Sequence, residues 1–300
     1  MTERIIEVGS DDRYLSVYRG FMLISEGEDE LARIPLDDIG AVIASARGLS
    51  YSNNLIVELA KRNAPVVICG SNHAPAALLL SLEGHHRQSG RIDTQIKASE
   101  SLKKNVWKQI IQSKIRNQGS VLSALERPAN PFFRMADKVK SGDPDNYEAQ
   151  AARRYFPMVF GRDFRRDRSE ATLNAMLNYG YMIIRSTVAR YVVATGFHPG
   201  IPIYHRNTLN SMRLVDDLME PYRPYVDLLV IGLYEDGFDC VSTETKPKLA
   251  EVLEMAVAMP KATVSLRRAI ELTVQSLVRV YEKEEKKIYL PLPDIQIWKG

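Results

Sequence analysis

Cysteine is nearly absent from this chain. Its two cysteines in 300 residues, Cys69 in the apolar run PVVIC and Cys240 in GFDCVS, are too few and too isolated for a disulfide framework or a zinc motif. Both are expected to be reduced and structural. No apolar run approaches the ~20 residues needed to span a bilayer, and the opening MTERIIEVGS has no apolar segment of a secretory signal. No membrane partner and a cytoplasmic location are therefore expected. Low-complexity tracts and internal repeats are also missing.

Net charge is small, only +3, but it is unevenly placed. Residues 1–60 hold 5 Lys and Arg against 11 Asp and Glu, whereas residues 87–140 hold 12 against 4. An acidic N-terminal module beside a basic one that meets a polyanion fits this split, as does a merely solvated basic face. With 45% hydrophobic residues the chain can bury a substantial core.

The first part alternates apolar and polar residues in short runs between turn formers, the pattern of strands. Tyr14, Val17 and Phe21 to Ile24 read as hairpin, EGEDE as a charged turn, and Ile39 to Ala44 as a buried strand. Asn53 to Arg62 reads as a helix feeding the strand PVVICG, and Ala76 to Leu82 as another strand. The polar stretch EGHHRQSGRIDTQ, with His85 and His86 on a loop, reads as a linker. From Ser99 the period turns helical: Leu102, Val106, Trp107, Ile110, Ile111 and Ile115 make one face, and Lys103, Lys104, Lys108, Lys114 and Arg116 surround it. Further helices are expected over 148–156, 171–195, 225–232, 244–259 and 261–287, and a docked, non-helical tail over IYLPLPDIQIWKG. The fold class is α+β: a small mainly β N-terminal domain, residues 1–86, followed by a larger all-α domain, residues 87–300.

Two stretches carry chemistry. Gly196 to Asp227 reads GFHPGIPIYHRNTLNSMRLVDDLMEPYRPYVD, placing His205 ahead of Asp216, Asp217 and Glu220. A helix from Asn207 to Met219 would gather these acids near its C-terminus. The helix dipole and their mutual repulsion disfavour that, so a bound cation would relieve it. Pro221 should steer Glu220 out of helical geometry. A solvated acidic helix end is the plain alternative. The second stretch places Glu148 at the start of a helix, either as a ligand among small residues or as an acid complementing the dipole. It continues into Arg153, Arg154, Arg162, Arg165, Arg166 and Arg168. These six arginines in sixteen residues without a lysine suit fork-like phosphate contacts, unless part of the patch pairs with Asp163 and Asp167.

Three blocks, NYEAQAARRYF, GIPIYHRN and DDLMEPYRPYVD, in this order after a β domain, resemble the CRISPR-associated integrase family of spacer acquisition. The HRN variant and the length are similar to members accompanying Type II systems. The resemblance implies a metal-dependent DNA endonuclease or integrase that joins 3′-hydroxyls of short foreign fragments to a repeat array. It implies a divalent ion held by Glu148, His205 and Glu220 with Asp217 as a further acid. That mixed imidazole and carboxylate set suits Mn²⁺ and tolerates Mg²⁺. Asp216 lies outside the family pattern, Ala149 stands where many members have glycine, and Glu220 stands where aspartate is common. Implied partners are double-stranded DNA, a second copy of the chain through the β domain, a small ferredoxin-like companion bridging two dimers, and Type II effector and accessory proteins. A structure-selective nuclease and a non-catalytic DNA-binding scaffold are the alternatives.

Overall fold

The computed structural model describes residues 4–70, 75–82, 85, 87–166 and 172–295, and the chain divides into two units, residues 1–88 and 89–300. In the first unit a strand β1 (Arg4–Val8) is followed by a meander, β2 (Tyr14–Tyr18), β3 (Phe21–Glu26) and β4 (Asp29–Pro35). Then come β5 (Ile39–Ala44), a short β6 (Ser50–Tyr51), the helix α1 (Asn53–Lys61), β7 (Val66–Cys69) and β8 (Pro75–Leu79). One four-stranded sheet has the order β1-β5-β7-β8 and the other β4-β3-β2-β6.

The β2–β3 turn puts Arg19 and Gly20 at φ 47 and 83°, the positive values that a tight hairpin following the strand twist requires. EGEDE forms the next hairpin, with Glu26 paired to Asp29 and Gly27 at φ 58°. All six residues of β5 are buried, since it is parallel to β1 on one side and to β7 on the other. The core gathers Val8, Leu15, Met22, Leu36, Val42 and Leu55.

The second unit is mainly helical: α2 (Gln88–Lys97), α3 (Glu100–Ala124), α4 (Asn130–Lys138), α5 (Tyr147–Phe160), α6 (Leu173–Ala194), α7 (Arg213–Met219), α8 (Arg223–Glu235), α9 (Thr245–Ala250) and α10 (Leu266–Tyr281). Ser99 caps α3 and Ser265 caps α10, each accepting from a backbone N–H three residues on. α6 is the nearly uncharged central helix, buried along most of its length.

Four expectations are corrected. The stretch read as a linker becomes helix from Gln88, and Gln95 is buried with its side chain exchanging hydrogen bonds with His198 backbone. The helix expected from Asn207 begins only at Arg213. Asn207 accepts from the Leu209 N–H and Asn210 from the Met212 N–H, local turns that compete with helix. Residues 256–258 and 263–265 pair as an antiparallel ribbon, β9 (Ala256–Ala258) and β10 (Thr263–Ser265), rather than extending helices on either side of Pro260. Pro221 does not throw Glu220 out of helical geometry: Glu220 sits at φ −54°, ψ −43°. The helical path passes through a 3-10 turn, Glu220–Tyr222, into α8, with Pro221 and Pro224 in first-turn positions that need no N–H.

Candidate active site

Asp217, on α7, is fully buried. One carboxylate oxygen accepts the backbone N–H groups of Ile203 and Tyr204 at 2.7 and 3.0 Å. The other accepts the His205 N–H at 3.2 Å and faces His205 Nδ1 at 2.6 Å. A carboxylate only accepts, so Nδ1 carries the proton and Nε2 is the nitrogen left for a ligand. That hydrogen bond holds the imidazole above the usual histidine range, outweighing its partial burial, with the Asp217, Glu220 and Asp216 charges adding to the effect. Tyr204 stacks on Trp107 of α3, ring centroids 4.3 Å apart, and the Trp107 ring meets His205 edge-on at 5.9 Å.

Glu148 lies in the first turn of α5. Asn146, in left-handed geometry at φ 54°, caps that helix, and Asp143 accepts the N–H groups of Tyr147 and Glu148 at 2.9 and 3.0 Å. The Glu148 carboxylate ends 2.7 Å from Lys114 Nζ, on α3. Glu220 reaches the same ammonium from the other side at 2.6 Å and takes Arg223 Nε at 3.0 Å on its second oxygen. Burial opposes charge on Glu220, but Arg223 and Lys114 outweigh it and hold the Glu220 carboxyl pKa well below the usual carboxylate range. Burial likewise opposes charge on Lys114, and Glu220 and Glu148 overcome it, so its ammonium is held above the usual lysine range. The Pro221 carbonyl accepts from the buried Asn117 side chain at 2.9 Å, fixing the chain just after Glu220.

The three acids do not pool. Asp216 turns to Arg185 on α6 at 2.7 Å and to Asn210 at 2.6 Å, Asp217 serves the His205 loop, and Glu220 belongs to the Lys114 site. Among the described residues no three His, Cys, Asp or Glu side chains stand close enough to hold a metal ion. The pair that does converge, Glu148 and Glu220, converges on a cation. One Glu220 oxygen, Oε2, is buried at ion-pair distance from Lys114 yet lacks the direction of a hydrogen bond. Two carboxylates around a positive charge, with an imidazole in electrostatic reach of one, fit a hard or borderline divalent ion in charge and donor type.

A cleft of about 620 Å³ opens beside His205, with Lys103, Lys104, Arg206 and Arg213 on its walls and Asp143 and Asn146, which start the Glu148 helix, at its edge. Of the arginine patch, Arg153, Arg154, Arg162 and Arg165 are exposed. Arg166 instead points inward, donating to the side-chain oxygens of Asn174 and Asn178 at 2.7 and 2.6 Å and lying over the Tyr181 ring. Arg168 lies outside the described residues. Lys114, Arg223, Asn117 and Asp143 were not among the sequence candidates. Lys114 had a signal: it stands four residues after Ile110 and seven after Trp107, on the apolar stripe rather than around it.

The family model described as CRISPR associated protein Cas1 matches residues 6–239. A CRISPR-associated endonuclease Cas1 of Neisseria meningitidis serogroup C (strain 8013) is 35% identical over 284 residues, covering 92% of each chain. Among solved structures, a casposase bound to integration product superposes with a TM-score of 0.80 at 19% identity, over 100% of this chain and 95% of that one. A Cas1 protein from Thermotoga maritima gives a TM-score of 0.80 at 16% identity, over 95% and 99%. These two likenesses bear on the fold, an N-terminal β region followed by a mainly helical one, while the family match and the Neisseria relative bear on descent. The chain belongs to the Cas1 family of CRISPR-associated proteins.

Proposed function

We propose that this chain is a metal-dependent DNA integrase of CRISPR adaptation. The family and the casposase likeness support the reaction class. The observation that carries the site is the convergence of Glu148 and Glu220 on one buried cation, with His205, its Nδ1 already engaged, in electrostatic reach of Glu220. Glu148, Glu220 and His205 Nε2 would hold Mn²⁺ or Mg²⁺, and Asp217 orients His205 from behind rather than meeting the ion. When bound, the ion lowers the pKa of a hydroxyl and neutralises charge on a phosphate.

The chain's own residues do the positioning. Asp217 fixes the tautomer and height of His205, and Asp143 and Asn146 fix the first turn bearing Glu148. Lys103, Lys104, Arg206 and Arg213 offer phosphates a cation-lined approach to His205, and Arg153, Arg154, Arg162 and Arg165 hold the duplex further out. In the reaction the 3′-oxygen of the captured fragment forms a bond to a repeat phosphorus. The bond from that phosphorus to the repeat's own 3′-oxygen breaks, and the proton of the attacking hydroxyl ends on the leaving one. No external energy is required.

Water replacing the 3′-hydroxyl would give endonuclease action at the same site, a reading favoured by the name of the Neisseria relative. The family also supports a homodimer through the β unit, a small ferredoxin-like companion between two dimers, and Type II effector and accessory proteins as partners. The test is joining of a labelled short duplex to a repeat-containing plasmid, with the companion present, in Mn²⁺ or EDTA. Wild type should join only with metal, and His205→Ala and Glu220→Ala should each lose about 10²-fold or more while still binding DNA. Normal joining by either variant would overturn the site, cutting without joining would favour the nuclease, and metal-insensitive binding with neither reaction would leave a scaffold.

A further inference from the structure

A lysine buried to 7% exposure among Ile110, Ile111 and Ile115, which are wholly buried, needs a reason to be there. Such a group costs stability unless paired. Lys114 has two carboxylate partners from two other elements, Glu148 of the α5 first turn and Glu220 at the end of α7, at 2.7 and 2.6 Å. Arg223 does not duplicate it: its Nε takes the other Glu220 oxygen, Oε1, at 3.0 Å. Lys114 alone bridges the carboxylates among the described residues. Without it the two acids, which reach one point, would confront each other in a low-dielectric pocket. The ammonium stands where the reading above puts a divalent ion, and a divalent ion there meets its repulsion.

We propose that the Lys114 ammonium is the resident counter-cation of the unloaded site, holding Glu148 and Glu220 together and competing with the divalent ion for their oxygens. The proposal rests on the metal-site reading. It assigns a role to a residue that neither coordinates metal nor touches DNA: Lys114 keeps the acids preassembled, and it sets the metal affinity low.

The test is Mn²⁺ binding by the full chain without DNA, followed by electron paramagnetic resonance of the free ion, together with thermal melting in EDTA and in Mn²⁺. The proteins are wild type, Lys114→Met, Lys114→Arg and Glu220→Gln. Lys114→Met is expected to bind Mn²⁺ roughly tenfold tighter than wild type or more, because one repelling charge is gone. It should melt below wild type in EDTA and gain more from Mn²⁺ than wild type does. Lys114→Arg, which keeps the charge, should stay near wild type in affinity and in EDTA stability. Equal or weaker binding by Lys114→Met, with binding still lost in Glu220→Gln, would overturn the proposal and leave the metal site standing. So would a Lys114→Met chain unfolded in both EDTA and Mn²⁺, since the ion could then not replace the ammonium. Wild-type binding that Glu220→Gln does not change would sink the metal-site reading itself, and the proposal with it.

Discussion

Asp217 joins two tasks that are usually divided. Its carboxylate fixes three consecutive backbone N–H groups and the proton of His205 Nδ1, so loop shape and imidazole tautomer have one origin. Asp217→Asn would put an amide N–H against donors. It is expected to cost on the order of 3 kcal/mol in chemical denaturation and about 10- to 100-fold in metal affinity or joining. In metal-free protein the sign of the pH effect follows from the raised His205 value. The folded state holds the second imidazole proton, the one on Nε2, more tightly than the unfolded one. The stability contributed is thus complete below the ordinary histidine value of 6.5 and is lost as pH rises through the higher folded value. A histidine-resolved NMR titration in EDTA should show that elevated value in wild type and a lower one in Asp217→Asn; equal values would place the His205 proton elsewhere.

Helix contacts decide what surrounds the site. α6 and α8 cross at Gly180, where an added Cβ would stand 2.5 Å from a Val226 methyl. Gly180→Ala should therefore cost about 1–3 kcal/mol by overpacking, and Val226→Ala in the same chain should recover part of it; additive losses would mean that the helices do not meet there. One residue further on each helix, Tyr181 donates to buried Asp227. Burial raises that acid to about 6, more than its Tyr and Arg neighbours lower it. Here the sign reverses relative to a salt-bridged carboxylate. The folded state binds the extra proton between about pH 4 and 6, so acidification through that window favours folding by up to about 3 kcal/mol for this group. Wild type should gain on Asp227→Asn as pH falls from 7.5 to 5 in parallel denaturations. These elements were legible where the helical period was long and clear, as in α3 and α6. They were not where side chains satisfy the backbone locally, as Asn207 and Asn210 do before α7. The β9–β10 ribbon also escaped, since its partner strand lies across a turn that helical periodicity ignores.

Across the whole molecule, the β-then-helical order could be read from the switch in hydrophobic period, and the family from three blocks. That those blocks share one site was implied by the resemblance alone, and the lysine between two of them was not foreseen. Glu148, Lys114 and Glu220 come from separate stretches, and nothing in the α3 sequence says what faces Lys114 except its place on the apolar stripe. Nor did composition reveal that Arg166 faces inward while Arg162 and Arg165 are exposed. That difference sets a prediction at this scale. Arg162→Glu with Arg165→Glu should weaken duplex binding whatever its sequence and reduce the slope of log affinity against log salt by about 2, measured by fluorescence anisotropy across a salt series. An unchanged slope would take these arginines off the DNA path. The stacked pair beside the histidine has a further use. The chain has two tryptophans, and one of them, Trp107, lies flat on Tyr204 and makes a T-shaped pair with His205. An imidazolium against an indole quenches emission, so the protein carries its own optical probe of the charge state of its site histidine, readable without a label.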